Sequence, residues 1–143
     1  PNDFRESLKI HNGQKGKENL FLINGWKLLN LEEIMEAWDY FKDFTEKGNF
    51  ENLDLNNNEK IKNIWWSEKW IPIIKSNEND YNCIDLEPSI NGKEGQIITL
   101  WLDILNRDFY SDSFLNLLEN FANDLEENKY ILLEEYNGLV YKN

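Results

Sequence analysis

Residues 70–102, WIPIIKSNENDYNCIDLEPSINGKEGQIITLWL, carry the pattern that decides the fold. Short runs rich in Ile, Trp and Tyr, at 70–74, 81–86 and 96–102, are parted by polar turns that hold Asn91-Gly92 and Gly95. Aromatic and β-branched runs bounded by turn residues read as strands, and strands consecutive in the chain pair as antiparallel neighbours. Side chains alternate along a strand, so Tyr81, Cys83 and Asp85 share one face while Ile84 and Leu86 share the other. One of those faces is expected to be core.

Working outward, Ser113 stands as a helix cap before Phe114, Leu117, Leu118, Phe121 and Leu125, a clear amphipathic series that ends near Asn128. Upstream, Asn30 followed by Glu33 forms a capping box that starts a second helix at Leu31. There Leu31, Ile34, Met35, Trp38 and Phe41 keep helical spacing and are expected to face the core, with the helix ending near Gly48. Pro1 to Asn12-Gly13 reads as a short helix with Pro at its first turn and Gly just past its end. A strand is expected at 20–23, turning at Asn24-Gly25 into 26–29, and residues 49–59 form a loop before a short helix at 59–66. At the end of the chain, 130–135 and 139–141 flank Asn137-Gly138, a strong hairpin signal. With no repeat and no linker, the expectation is one α+β domain over 1–143, a mostly antiparallel central sheet with helices packed against it.

Composition bounds the function. The 143 residues are 41% hydrophobic and 14% aromatic, which suits a packed core rather than a disordered acidic chain. Lys and Arg number 15 against 27 Asp and Glu, and the net charge of −12 repels phosphate backbones and anionic lipid, so neither nucleic acid nor membrane is an expected partner. An acidic surface instead suits a basic protein, with charge guiding encounter and choice of partner. The single cysteine, Cys83, leaves no internal disulfide, and no apolar run approaches the ~20 residues of a membrane span, so a reducing, cytoplasmic setting is expected.

In order along the chain, Pro1-Asn2-Asp3-Phe4 through Ile10-His11-Asn12-Gly13-Gln14, Gly25-Trp26-Lys27-Leu28-Leu29 into Leu31-Glu32-Glu33-Ile34, and the blocks Trp70-Ile71-Pro72-Ile73, Cys83-Ile84-Asp85-Leu86-Glu87-Pro88, Gly95-Gln96-Ile97-Ile98, Trp101-Leu102-Asp103 and Ser113-Phe114-Leu115 resemble the SUKH superfamily. That superfamily includes a yeast cell-wall assembly regulator and many bacterial immunity proteins that neutralise polymorphic toxins. The resemblance implies a binding scaffold without a shared catalytic centre, and leaves the partner open. The family usually carries a helix ahead of the position of Pro1, so the expected domain is one short of that helix. Residues 75–80 also lack the Gly that often marks the family's turn there.

Individual residues narrow the chemistry. His11 is the only histidine, which removes a multi-His metal site, and near a helix C-terminus its imidazolium suits a local interaction with the helix dipole. Cys83 reads as a buried thiol. Asp85, Glu87 and Asp103 offer a carboxylate pair for acid/base chemistry, against the simpler reading that Asp85 and Asp103 bond turn backbone. Gly92 and Gly95 lack the Lys-Ser/Thr ending of a phosphate loop, and no spaced oxygen-ligand loop for Ca²⁺ is visible, so no cofactor and no metal are expected. Trp65, Trp66 and Trp70 are a local cluster that serves either the core or an aromatic anchor for a partner, with Trp66 the ring to test. Glu32, Glu36, Asp39 and Asp43 repeat at helical spacing, within a stretch, 31–60, that holds nine acids and three Lys.

These observations converge on a non-enzymatic protein-binding domain. The expected partner-binding residues are Glu32, Glu36, Asp39, Asp43, Trp66, Asp80, Asp85 and Glu87. The leading expectation is an immunity protein that neutralises a basic, nuclease-type toxin. A regulatory interaction module is the alternative, and a carbohydrate-binding domain built on Trp66 with Asp85 and Asp103 is a third.

Overall fold

The runs at the centre of the chain form the sheet they predict. The computed structural model of the chain describes residues 1–14, 26–48, 50, 53, 55–133 and 138–142. In chain order its elements are α1 (Asn2–Ile10), β1 (Lys27–Leu28), α2 (Leu31–Lys47), β2 (Trp70–Lys75), β3 (Tyr81–Asp85), β4 (Gln96–Leu100), β5 (Arg107–Ser111), α3 (Phe114–Glu126), β6 (Tyr130–Leu133) and β7 (Gly138–Tyr141). Strands β1 to β5 lie side by side in sequence order, all antiparallel, and β6 pairs with β7 as a separate ribbon. The fold class is α+β.

Register sorts the sheet residues into two faces. Tyr81, Cys83 and Asp85 stand opposite Leu100, Ile98 and Gln96, so these six share a face. Against it packs α2, whose fully buried Phe41 sets its ring 5.1 Å from that of Tyr81, and the segment carrying Trp65 and Trp66. On the other face Ile84 pairs with Ile97 and Ile97 with Ser111, whose hydroxyl meets Asn116 of α3 at 2.9 Å. Every residue of β3 and β4 is consequently buried, where a single buried face was expected. Each large apolar side chain sealed in this way contributes about 1.5–3 kcal/mol.

Helix ends follow their caps. Asn30 accepts from the Glu33 amide at 3.0 Å and Glu33 returns a carboxylate to the Asn30 amide at 3.0 Å, completing the capping box of α2. Ser113 accepts from the Asn116 amide at 3.0 Å to start α3, and Asn128 adopts a left-handed φ of 57° just beyond its end. α1 docks on α3 through Phe4 against Phe114, ring centroids 5.0 Å apart, and through Asp3, which accepts from the Leu115 amide at 2.9 Å. His11 occupies the C-cap of α1 with its Nε2 3.2 Å from Ser7 Oγ. Gly13, at φ +65°, needs to be glycine because a Cβ there would lie 2.4 Å from the Asn30 nitrogen.

Several expectations change. Residues 59–66 form turns rather than a helix, because Asn57 spends its side-chain amide on the carbonyls of Lys62 and Ile64, at 2.9 and 3.0 Å, and pins the segment in loop form. β5 was not foreseen. Leu31 and Met35 point to water, since the buried stripe of α2 is the narrower Ile34, Ala37 and Phe41. The strand expected at 20–23, its Asn24-Gly25 turn and most of the turn joining β6 to β7 lie outside the described residues. No helix among the described residues is long and apolar enough to cross a membrane.

Candidate functional site

The side of α2 turned away from the sheet is an exposed, charged surface. Ile34, Ala37 and Phe41 bury one stripe, so residues near the opposite side of a 3.6-residue turn must face water. Glu32, Glu36, Asp39 and Asp43 do so, and all four are exposed in one ridge along the helix. Asp43 shares its carboxylate with Lys47 one turn on, whereas Glu32, Glu36 and Asp39 have no cationic partner among the described residues. Large apolar side chains flank the acids. Met35 is 65% exposed on one side, and Tyr40 at 51% and Phe44 at 43% stack on the other with ring centroids 5.9 Å apart. Unpaired charge bordered by exposed aromatic and thioether groups is the composition of a docking surface, with rings to anchor and charges to steer.

The other expected contact residues sit elsewhere and do different work. Trp66 is buried, its ring stacked on Phe41 at 6.2 Å and edge-on to Trp38 at 5.9 Å. Asp80 is also buried, accepting from the Leu102 amide at 3.0 Å and so tying the end of β4 to the β2–β3 turn. Asp85 has no exposure at all. Its Oδ1 accepts from Trp70 Nε1 at 3.1 Å and the Glu87 amide at 2.9 Å, and its Oδ2 from Gln96 Nε2 at 3.0 Å. Burial pushes its carboxyl pKa above 3.8, and the three donors oppose that shift only in part. These three residues are therefore corrected from surface contacts to internal fastenings, because hydrogen-bond donors and rings inside the fold already occupy them. Glu87 is exposed and holds Lys62 at 2.8 Å, which lowers its carboxyl pKa.

The proposed carboxylate pairing does not assemble around Asp85, which is buried and already accepts from three structural donors. Asp103 is exposed and makes no side-chain bond among the described residues, so it is not the turn fastener that Asp85 is. Cys83 is completely buried, and burial raises its thiol pKa, which keeps the sulfur protonated and unreactive. Among the described residues no three His, Cys, Asp or Glu side chains gather as metal ligands.

One structural centre had no signal in the sequence. Arg107, on β5, is fully buried with no carboxylate partner among the described residues. Its Nε donates to the Trp65 carbonyl at 3.1 Å, and its Nη1 lies within reach of the carbonyls of Trp101, Ile104, Leu105 and Asn106, the closest at 2.8 Å. The guanidinium also lies 5.3 Å from the Trp65 ring. Burial lowers its pKa to about 10, which still leaves it charged at neutral pH. It thereby fixes the loop between β4 and β5 against the segment that covers α2's face of the sheet.

The model of the SMI1 / KNR4 family (SUKH-1) matches residues 1–137. The cell wall assembly regulator SMI1 of Saccharomyces cerevisiae is 26% identical over 170 aligned residues, which take in 94% of this chain and 34% of that protein. The cell wall biosynthesis/cell cycle regulator smi1 of Schizosaccharomyces pombe is 28% identical over 152 residues, covering 97% of this chain and 30% of its own. The chain thus spans about a third of the length of these curated relatives.

Proposed function

The chain belongs to the SMI1 / KNR4 family (SUKH-1), and from that premise we propose that it is a non-enzymatic interaction domain that serves cell-wall assembly by binding a basic protein partner. The family match over 1–137 is the observation that carries the regulatory part, since the similar proteins are named as cell-wall regulators. They favour that reading over the immunity protein. The acidic ridge of α2 supports the binding part. Glu32, Glu36 and Asp39 are exposed and have no cationic partner among the described residues, and a basic segment lying along them would gain their charge while Met35, Tyr40 and Phe44 supply contact area. A single cysteine buried in β3 is compatible with action in the reducing cytoplasm.

The test is quantitative capture with the chain as bait at low and moderate salt, comparing it with the double variant Glu36→Lys, Asp39→Lys. The expected result is a defined set of cell-wall or signalling proteins that the parent retains and that both the variant and added salt release. Recovery of a toxin domain in stoichiometric amount would replace regulation with immunity. Equal retention by parent and variant would remove α2 as the binding surface.

A further inference from the structure

Beside the acidic ridge, between α2, β1 and the β2–β3 turn, lies a cavity of about 690 Å³, a size that accommodates a small ligand or a few residues of peptide. Its charge is unusual for this chain. Register sets Lys27 on β1 directly opposite Lys75 on β2, and both line the cavity. Like charges directly across a strand pair repel, so their neighbours matter. Glu33 answers Lys27 with one carboxylate oxygen while the other closes the capping box at 3.0 Å, and it forms no ion pair with Lys75. Lys75 has no carboxylate partner among the described residues, and its ammonium stands 5.5 Å from the Tyr81 ring.

The β2–β3 turn adds uncommitted amides to the lining. Asn77 and Asn79 border the cavity from the β2–β3 turn, and neither side-chain amide has a partner among the described residues. The turn that carries them is fixed by Ser76, whose hydroxyl accepts from the Glu78 amide at 3.1 Å and the Asp80 amide at 3.0 Å. Tyr81 is buried and its phenol is pushed up to about 12, so it remains neutral and able to donate. On the α2 side Glu36 contributes a carboxylate with no cationic partner among the described residues, and it belongs to the exposed ridge as well. Among the described residues the cavity therefore presents one unanswered cation and one unanswered anion on opposite elements. A wholly acidic ligand would meet the repulsion of α2, and a wholly basic one would leave Lys75 without a counter-charge.

We propose that this cavity receives a carboxylate carried by a basic peptide segment, with Lys75 and the Asn77 and Asn79 amides as its donors and Glu36 holding a Lys or Arg of the same segment. The inference rests on α2 as the docking surface for a basic partner and adds where that partner is anchored. The carboxylate is a chain terminus or an Asp or Glu side chain, and the chemistry at Lys75 is the same for both.

Three N-acetylated probes distinguish these sources in ¹⁵N NMR titrations at low salt. They are Lys-Leu-Lys-Leu with a free carboxyl terminus, the same peptide as its C-terminal amide, and that amide with Glu replacing the second Leu. At least one carboxylate probe is expected to bind about fivefold more tightly than the plain amide, the size of one partly exposed ion pair, and to shift Lys75, Asn77 and Asn79. Lys75→Gln should abolish that preference and Lys75→Arg should keep it, while Glu36→Gln weakens all three probes. Equal binding of the three probes to the unaltered chain, with α2 resonances shifting, would overturn the carboxylate site and leave the α2 surface standing. A preference that survives Lys75→Gln would also overturn it, and no shift on α2 with any probe would remove both readings.

Discussion

Replacing Asp85 with Asn tests whether a buried carboxylate fastens the sheet. The change is nearly isosteric, so its effect comes from hydrogen bonding and charge rather than volume. Both carboxylate oxygens face donors: Trp70 Nε1 and the Glu87 amide on Oδ1, and Gln96 Nε2 on Oδ2. An Asn amide set with its oxygen toward Trp70 and Glu87 points its NH₂ at the NH₂ of Gln96. Rotating Gln96 to relieve that clash takes its nitrogen away from the Lys60 carbonyl, now at 2.9 Å, and turns it toward the Lys93 amide, now donating at 3.2 Å. Either arrangement leaves one or two buried groups unsatisfied, at about 1–3 kcal/mol each. Removing a buried charge offsets part of this, so the net loss expected is about 1–3 kcal/mol at neutral pH.

The pH dependence has a definite sign. Because the Asp85 pKa is raised on folding, the native chain holds that proton more tightly than the unfolded chain. The contribution of Asp85 to stability therefore grows as pH falls through its folded pKa toward 3.8, and Asn, which does not titrate, lacks this term. Urea unfolding followed by tryptophan fluorescence, at about pH 7 and about pH 4, should show the gap between parent and variant widening in acid. A variant within about 0.5 kcal/mol of the parent at neutral pH, or a gap that narrows in acid, would refute the reasoning.

Two further substitutions probe the frame. Arg107→Lys cannot reproduce a planar guanidinium placed within reach of five carbonyls and should cost about 3–5 kcal/mol in urea unfolding, whereas a loss under about 1 kcal/mol would show the guanidinium to be dispensable. Asn30→Ala removes one half of the α2 capping box and should lower stability by about 1 kcal/mol, with hydrogen exchange accelerating first in the opening turn of α2.

What was legible in the sequence was local. The capping box at Asn30 and Glu33 and the cap at Ser113 are written in adjacent residues, and α2 and α3 begin where those residues say. Strands β2, β3 and β4 are dense enough in Ile, Trp and Tyr to declare themselves. Strand β5, RDFYS, is largely polar and owes its form to pairing with β4, including a register shift between Ile97 and Ile98. That information is not local. The acidic ridge on α2 followed from helical spacing, since period alone separates an outer face from an inner one. The burial of Asp80 did not, because an acid beside a turn reads as surface until its partner is known, whereas the turn-bonding of Asp85 and the core place of Trp66 were each one of two open readings. Lys75 gave no signal either, its significance being that Glu33 is already committed to Lys27.

The cage around Arg107 has a consequence for how this fold can vary. On the loop between β4 and β5 the guanidinium reads only backbone carbonyls, while the side chains of Asp103, Ile104 and Leu105 project into solvent. Every amino acid brings the same carbonyl, so the loop's shape is largely independent of what those three positions carry. The fold can thus rewrite the lettering of this loop, in chemistry and in charge, on a path of constant form.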